Sequence, residues 1–470
     1  MDGTSDRMLR FLKDKSILVT GSTGFLAKIF VEKVLRVQPN VKKLFLLVRA
    51  PDAKSASHRL HDEVTGKKVF GVLRQQYEKG FSAFVSEKIS PVAGDIACEN
   101  LGIEDRDLRE LLCREVDVVL NVAATTNFFE RYDVALKANV LGAKHALDFA
   151  KRCEKLQLFL HVSTGLILEE RLRMGESLNG APGLDVDAEV RLVRKPWRNC
   201  AAESRRRKRE GLHEGAGHEE ARSPIPDAEA RFFGWPNTYV FTKALGEMMI
   251  GQQRGDTPVV IIRPTIITST HREPFPGWVE GTRTIDSLVI GYAEGNLPIP
   301  GDMVVNAMII AMEVHANQRS EFIYHVGSSV SNPLTYARLK DYVGKDGKII
   351  KTRDILLFTT ITSFRRYMAL RYWLPLEGLR LVNAALCGVF SQLYDRLSRK
   401  YKFVMHLVDL YEPYAFFKGC FDDLNLVRLR AAAGDDHGGG GLFDFDPKSI
   451  DWNHYFSTVH FPGVVKYVLK

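Results

Sequence analysis

The chain is 470 residues long, 45% hydrophobic and 26% charged, a balance that buries a large core and excludes wholesale disorder or a fibrous repeat. A formal charge of +8 suits anionic partners such as phosphates, nucleic acid or acidic lipid without choosing among them. Six cysteines stand scattered with no CxxC pair or Cys/His cluster, which argues against a disulfide framework and a zinc site, and no metal is expected. The first fifteen residues have no apolar stretch of signal-peptide length and are too few and too acidic for a transit peptide.

The first 165 residues alternate apolar strands with helical stretches. Ser16–Thr20 reads as a strand, residues 21–24 as a glycine turn, and Phe25–Val37 as a helix with Leu26, Ile29, Phe30, Lys33 and Val34 at spacings of three and four. Residues 41–48, 89–96, 116–124 and 156–164 read as further strands. Helices are expected near 104–114 and 132–154, and a polar, helix-compatible excursion over 52–88. This alternation implies βαβ units and an α/β fold, a Rossmann-type doubly wound parallel sheet covered on both faces.

Residues 190–230 break the pattern with the basic run from Arg205 to Arg209. No aromatic residues are interleaved to stack bases, so it reads as a variable, solvated insertion and no nucleic-acid partner is expected. Order resumes with a buried strand at 258–265, a helix at 302–315 and a strand at 321–329 that closes the lobe. Beyond about 334 the chain turns helical, aromatic and basic, with a glycine-rich stretch at 431–441. A boundary near 334–350 is expected, dividing a nucleotide-binding lobe over 1–340 from a smaller helical C-terminal domain over 350–470. The longest uncharged apolar run, 381–394, is fourteen residues, short of the ~18 a membrane-spanning helix needs.

Two motifs carry the chemistry. At the first βα junction, Gly21 makes a tight turn, Gly24 lets a pyrophosphate approach the backbone and Ala27 lets the helix pack on the sheet. Ser22, Thr23, Phe25 and Leu26 belong to the same phosphate-binding turn. The second strand candidate ends in Arg49, whose guanidinium suits a 2′-phosphate and so selects NADPH, with Asp52 three residues on as an acidic competitor. Asp95 and Ile96 end the third strand beside the adenine, and Ala123 lies in the 121–124 segment under the second ribose. The other motif is Tyr239 with Lys243, four apart and so on one helix face. A nearby ammonium favours the phenolate and lowers the tyrosine pKa, and it holds a ribose hydroxyl. Ser163 and Thr164 end the fifth strand and offer hydroxyls to a developing oxyanion.

These pieces resemble the extended short-chain dehydrogenase/reductases. The runs from Val19 to Lys28, from His161 to Thr164, from Phe233 to Lys243 and from Ile262 to Pro264 are similar to the plant alcohol-forming fatty acyl-CoA reductases. So is the tail from Phe445 to Lys470, and the region after 350 resembles that family's male-sterility C-terminal domain. The resemblance implies reduction of a long-chain acyl-CoA to a primary alcohol with two NADPH, through a hemithioacetal and an aldehyde, feeding wax, suberin or pollen-wall lipid. Tyr239 is then the proton donor, Lys243 its pKa-lowering and ribose-gripping partner, and Ser163, with Thr164 as rival, the oxyanion donor. Two segments are shorter than in the family. Ser163-Thr164 runs directly into Gly165-Leu166-Ile167, and the stretch from Leu297 to Met303 is contracted. The first is expected to leave NADPH binding near normal and to lower turnover. The alternatives are a reductase or epimerase of this fold acting on a sugar nucleotide or small carbonyl, and a cofactor-binding paralogue without full activity. Residues 351–402 hold ten Lys/Arg against three Asp/Glu, with Trp373, Phe390 and Tyr394 among them. Peripheral attachment to the cytosolic face of the endoplasmic reticulum is expected, with the cytosol as the alternative.

Overall fold

The computed structural model describes residues 3–128, 130–165, 178, 185–194, 230–231, 233–281, 298–334, 358, 360–415, 420–434 and 441–468. The strands in chain order are β1 (Ser16–Thr20), β2 (Lys43–Val48), β3 (Ile89–Ala93), β4 (Val118–Asn121), β5 (Leu158–Val162), β6 (Val259–Pro264), β7 (Ile266–Thr268), β8 (Pro298–Pro300) and β9 (Glu321–Val326). Seven of them form a wholly parallel sheet in the order β3-β2-β1-β4-β5-β6-β9. β7 and β8 make a separate parallel pair.

The strands are apolar on both faces because helices cover both. Ile17, Val19, Leu44, Leu46, Leu120 and Leu160 pack into one core, while their neighbours Leu18, Phe45, Leu47, Val119, Phe159 and Ile261 pack into the other. The period of two therefore partitions each strand between two layers. Strand order reverses between β1 and β4, which opens a crevice at the carboxyl ends of the strands. β9 pairs with β6 from Val259↔Glu321 to Pro264↔Val326 and forms the last strand of the sheet.

The Phe25–Val37 helix is buried on nearly every side, including Lys28, Glu32 and Lys33. Their charges are paired: Lys28 with Glu280, Lys33 with Glu273, and Glu32 with Arg36 at 2.8 Å. The reason is the C-terminal tail. The Leu424–Ala433 helix packs on the Gly301–His315 helix, and Phe443, Phe445, Ile450, Trp452, Tyr455 and Phe456 join the same core as Ile17 and Val19. The Tyr455 hydroxyl donates to the Ser269 carbonyl at 2.7 Å and lies 2.7 Å from the Thr268 hydroxyl, and the Trp452 indole donates to the Asn332 carbonyl at 3.0 Å. The residues from 421 onward thus complete the core of the nucleotide-binding lobe.

The helices Ile361–Met368, Leu374–Ala385 and Ser391–Ala415 follow the expected helical texture of the C-terminal region and stand largely exposed. The expected boundary at 334–350 falls, beyond Leu334, outside the described residues, as do the basic run 205–209 and most of the 190–230 insertion. Within that insertion, Val186–Arg194 reaches in as the end of a helix.

Candidate active site

At the first βα junction, Gly21 has φ +66, and a Cβ there would stand 2.7 Å from the Ala123 backbone. Only glycine brings the end of β1 this close to the end of β4. Gly24 N-caps the Phe25–Val37 helix without any side-chain cap, so the first-turn amides are left for an anion. The Ser22 hydroxyl is turned back to the Val19 carbonyl at 2.9 Å, and Thr23 is half-buried beside it. Phe25 and Leu26 bury their side chains in the core, the Phe25 ring stacking on Trp278 at 4.9 Å, so in this turn they offer backbone only. The bare turn and the uncapped helix fit a dinucleotide pyrophosphate.

Arg49 lies just past β2, exposed and without a carboxylate partner among the described residues. Its competitor Asp52 is occupied: its carboxylate caps the Ala53–Leu60 helix, accepting from the Ser55 amide at 2.7 Å, which holds its pKa below the usual value. Asp95 follows β3, half-buried, with its carboxylate accepting from the Ala97 amide at 2.9 Å. Ile96 packs its side chain toward Gly142 and the second core. Ala123 is half-buried and donates its amide to the Thr20 hydroxyl at 3.2 Å. Asn121 does not face the crevice. Its amide is buried between the Thr20 hydroxyl at 2.6 Å and His161 Nδ1 at 2.9 Å, a polar chain that crosses β1, β4 and β5 within the sheet.

The Thr238–Gln253 helix brings Tyr239 and Lys243 to the end of β5. Its first residue is preceded by Asn237, whose side chain caps it by accepting from the Val240 amide at 3.0 Å. The Thr164 side chain lies beside the Tyr239 phenol, and the Phe128 ring lies 5.4 Å from the Tyr239 ring. Burial pushes the phenol up to about 12, partly opposed by Thr164. This corrects the expectation that Lys243 lowers the Tyr239 pKa. The Lys243 ammonium points under the strand end and donates to the Val162 carbonyl at 2.6 Å. Burial takes Lys243 down to about 8, with the Glu247 carboxylate pulling it back up. The Ser163 hydroxyl is buried and has no hydrogen-bond partner among the described residues, one strand position above that carbonyl. A buried hydroxyl left open at this strand end is a donor awaiting a ligand oxygen.

Three further residues organise the site. Glu247 lies one more helical turn along the Tyr239–Lys243 face and forms a buried ion pair with Arg263 of β6, with Nη2 at 2.6 Å and Nε at 3.0 Å. The i, i+4, i+8 spacing carried that signal, as did an arginine inside an apolar strand, since a buried charge demands a partner. Asn139 sits in a widened helical turn, Lys137–Leu141. Its side chain accepts from the Thr125 amide at 2.9 Å and donates to the Thr242 hydroxyl at 2.9 Å, tying the loop after β4 to the Tyr239 helix. Nothing in the sequence spacing marks it. Of the contracted stretches, Gly165 is the last described residue after Thr164. Asp302 accepts from the amides of His271, Arg272 and Glu273 at 2.7, 2.8 and 2.9 Å, and so holds a loop in place.

Comparison with known proteins agrees with this geometry. Two sequence families, both described as male sterility protein, match residues 19–319 and 371–470. The chain is 48% identical to the alcohol-forming fatty acyl-CoA reductase of Simmondsia chinensis, over 98% of this chain and 99% of that one. It is 46% identical to fatty acyl-CoA reductase 1 of Arabidopsis thaliana over the same shares. Both alignments run over 498 residues against the 470 of this chain, so these relatives carry residues it lacks. Among solved structures, a reductase domain of a non-ribosomal peptide synthetase from Mycobacterium tuberculosis superposes with a TM-score of 0.54 at 18% identity, covering 100% of this chain and 95% of that one. The terminal R domain of the myxalamid PKS-NRPS pathway gives 0.52 at 18%, over 93% and 90%, and this likeness speaks to the fold. A nicotinamide-dinucleotide turn, a Tyr239–Lys243 helix face and whole-length identity near one half together make the chain a member of the plant fatty acyl-CoA reductase family, with its male-sterility nucleotide-binding and C-terminal regions.

Proposed function

We propose that the protein reduces a long-chain acyl-CoA to a primary fatty alcohol with two NADPH. The observation that carries this reading is the open, buried Ser163 hydroxyl at the strand end shared with Thr164 and Tyr239, in a chain alike over its whole length to reductases of that name. Gly21, Gly24 and the uncapped amides hold the dinucleotide pyrophosphate, Arg49 the 2′-phosphate, and Asp95 and Ala123 line its adenosine half and second ribose. When bound, the dinucleotide supplies the hydride for each of the two reductions.

The chain's own residues manage charge and protons. Ser163 donates to the thioester oxygen as it gains negative charge. Tyr239, protonated at neutral pH as any phenol is and the more so for its burial, gives its proton to an oxygen far more basic than a phenolate. The resulting hemithioacetal loses coenzyme A to leave an aldehyde, which the same two hydroxyls receive for the second reduction. Thr164 supports the phenol, and Lys243 reaches the nicotinamide ribose while bracing the end of β5 through Val162. A product destined for wax, suberin or pollen-wall lipid, and peripheral attachment to the cytosolic face of the endoplasmic reticulum, complete the proposal.

The deciding experiment is expression in yeast with profiling of fatty alcohols, alongside NADPH oxidation by the purified chain with acyl-CoA of varied length. Primary alcohols and stoichiometric oxidation of two NADPH per alcohol are expected. NADPH binding without any alcohol would leave the second reading, a cofactor-binding paralogue, which the shortened connection after Thr164 favours.

A further inference from the structure

Twelve of the eighteen exposed large hydrophobic side chains among the described residues fall between positions 370 and 404. They belong to a helical hairpin. The Leu374–Ala385 helix and the Ser391–Ala415 helix pack on each other across a turn at Cys387 and Gly388, both at positive φ. The tip is apolar and solvent-facing: Val389 is 74% exposed, Leu381 64%, and Leu386 49%. No charged residue occurs from Leu381 to Tyr394, while Arg371, Arg380, Arg396, Arg399, Lys400 and Lys402 flank that run on both arms. Arg371, Arg396, Lys400 and Lys402 are exposed and have no carboxylate partner among the described residues.

A further feature separates this tip from an ordinary surface loop. Much of its backbone is paired within the tip. The Gly388 amide donates to the Asn383 carbonyl at 2.8 Å, the Phe390 amide to the Asn383 side-chain oxygen at 2.7 Å, and the Val389 amide to the Leu386 carbonyl at 3.3 Å. The Ser391 hydroxyl donates to the Gly388 carbonyl at 2.6 Å. Internal pairing of this kind lowers the cost of carrying a turn into hydrocarbon, where no water satisfies its polar groups. Reach fits as well. From Arg380 to Cys387 is seven residues, ~10 Å of helix at ~1.5 Å per residue. That lies within one leaflet of a hydrocarbon core ~30 Å thick. No helix among the described residues is long and apolar enough to cross a membrane.

We infer that this hairpin is a one-leaflet membrane anchor: its tip from Leu381 to Leu393 enters the acyl region of a bilayer, and its flanking arginines and lysines seat on anionic headgroups. The inference deepens the peripheral attachment proposed above and rests on that reading. It replaces a purely electrostatic contact with an inserted one, and it brings the enzyme to the surface in which long-chain acyl-CoA dissolves.

The test is flotation of the full-length chain with phosphatidylcholine vesicles containing phosphatidylserine, at ~0.1 M and ~1 M salt, where charge attraction is respectively present and screened. The unmodified chain is expected to stay with the vesicles at both. The variant L386D/V389D, changed only at exposed positions, should bind at least about tenfold more weakly at both. R396Q/K400Q should bind more weakly at low salt and match the unmodified chain at high salt. Complete release of the unmodified chain at high salt, or unaltered binding by L386D/V389D, overturns insertion. Light scattering that finds a dimer in the unmodified chain and a monomer in L386D/V389D, with neither floating, overturns it in favour of a contact between two copies. Acyl-CoA reduction in detergent micelles separates the two proposals: it should be equal in the unmodified chain and L386D/V389D, and its absence from both would remove the proposed activity while leaving the flotation result standing.

Discussion

Tyr239 and Lys243 were legible as a pair from their spacing, but their electrostatics were not. Sequence places an ammonium near a phenol; only packing decides which way that ammonium points, and here it points to the Val162 carbonyl. Tyr239→Phe removes the proton donor and little else, so it is expected to abolish alcohol formation while NADPH affinity stays within about twofold, as measured by fluorescence titration. Lys243 carries a pH dependence whose sign follows from its depressed pKa. Its ammonium is complete below about 8 in the cofactor-free protein and is lost as pH rises through that value. NADPH binding should therefore weaken above about pH 8, by up to tenfold per pH unit, and Lys243→Arg should flatten that limb because a guanidinium keeps its proton. A flat profile in the unmodified chain would remove Lys243 from the ribose. Arg49 is exposed with no carboxylate partner among the described residues, while Asp52 is committed to a helix cap, so under the proposed use of NADPH it is the guanidinium that reads the dinucleotide. Arg49→Ala should narrow the preference for NADPH over NADH by about tenfold or more, the scale of one lost charge-assisted contact of ~1.5–3 kcal/mol. Equal use of both dinucleotides by the unmodified chain would refute that role.

At the scale of elements, the strands and the first crossover helix were readable because an apolar run bounded by turn residues admits few other structures. Their ends were less so: the run 156–164 reads as one strand, whereas the β5 ladder is assigned only over Leu158–Val162. The difference bears on the shortened connection. The Ser163 amide still donates to the Ile262 carbonyl at 2.7 Å, and the Gly165 amide to the Pro264 carbonyl at 2.7 Å. Gly165 also lies against the Phe421 ring, which a Cβ there would meet at 3.3 Å. The backbone that carries Ser163 and Thr164 is thus paired with β6 up to Gly165. Inserting an Ala-Tyr-Val-containing segment of family length between Thr164 and Gly165 is accordingly expected to change KM for acyl-CoA more than kcat. A rise in kcat on the order of a hundredfold would instead mean that the strand end had been displaced by the shortening.

Over the whole molecule, the least legible feature was where the tail goes. Its aromatic residues between Phe443 and Phe461 show no periodicity that names their partner, and a division into two domains near residue 340 suggests an independent helical unit. The structure instead buries Trp452, Tyr455 and Phe456 in the core that holds Ile17 and Val19, and lets Lys33 of the first crossover helix donate to the Leu442 carbonyl. That covering is also why the first crossover helix keeps Lys28, Glu32 and Lys33 inside: the face that would meet water meets the tail and the loop bearing Glu273 and Glu280. Stability of the nucleotide-binding lobe then depends on the last thirty residues of the chain. Trp452→Ala removes a buried ring and its indole bond to Asn332, and is expected to cost ~3–5 kcal/mol. Calorimetry should show one cooperative transition that moves down as a whole, with the midpoint for loss of NADPH binding moving alongside it. Two separated transitions, with the NADPH-linked one unmoved, would mean that the tail folds on its own and merely rests against the sheet.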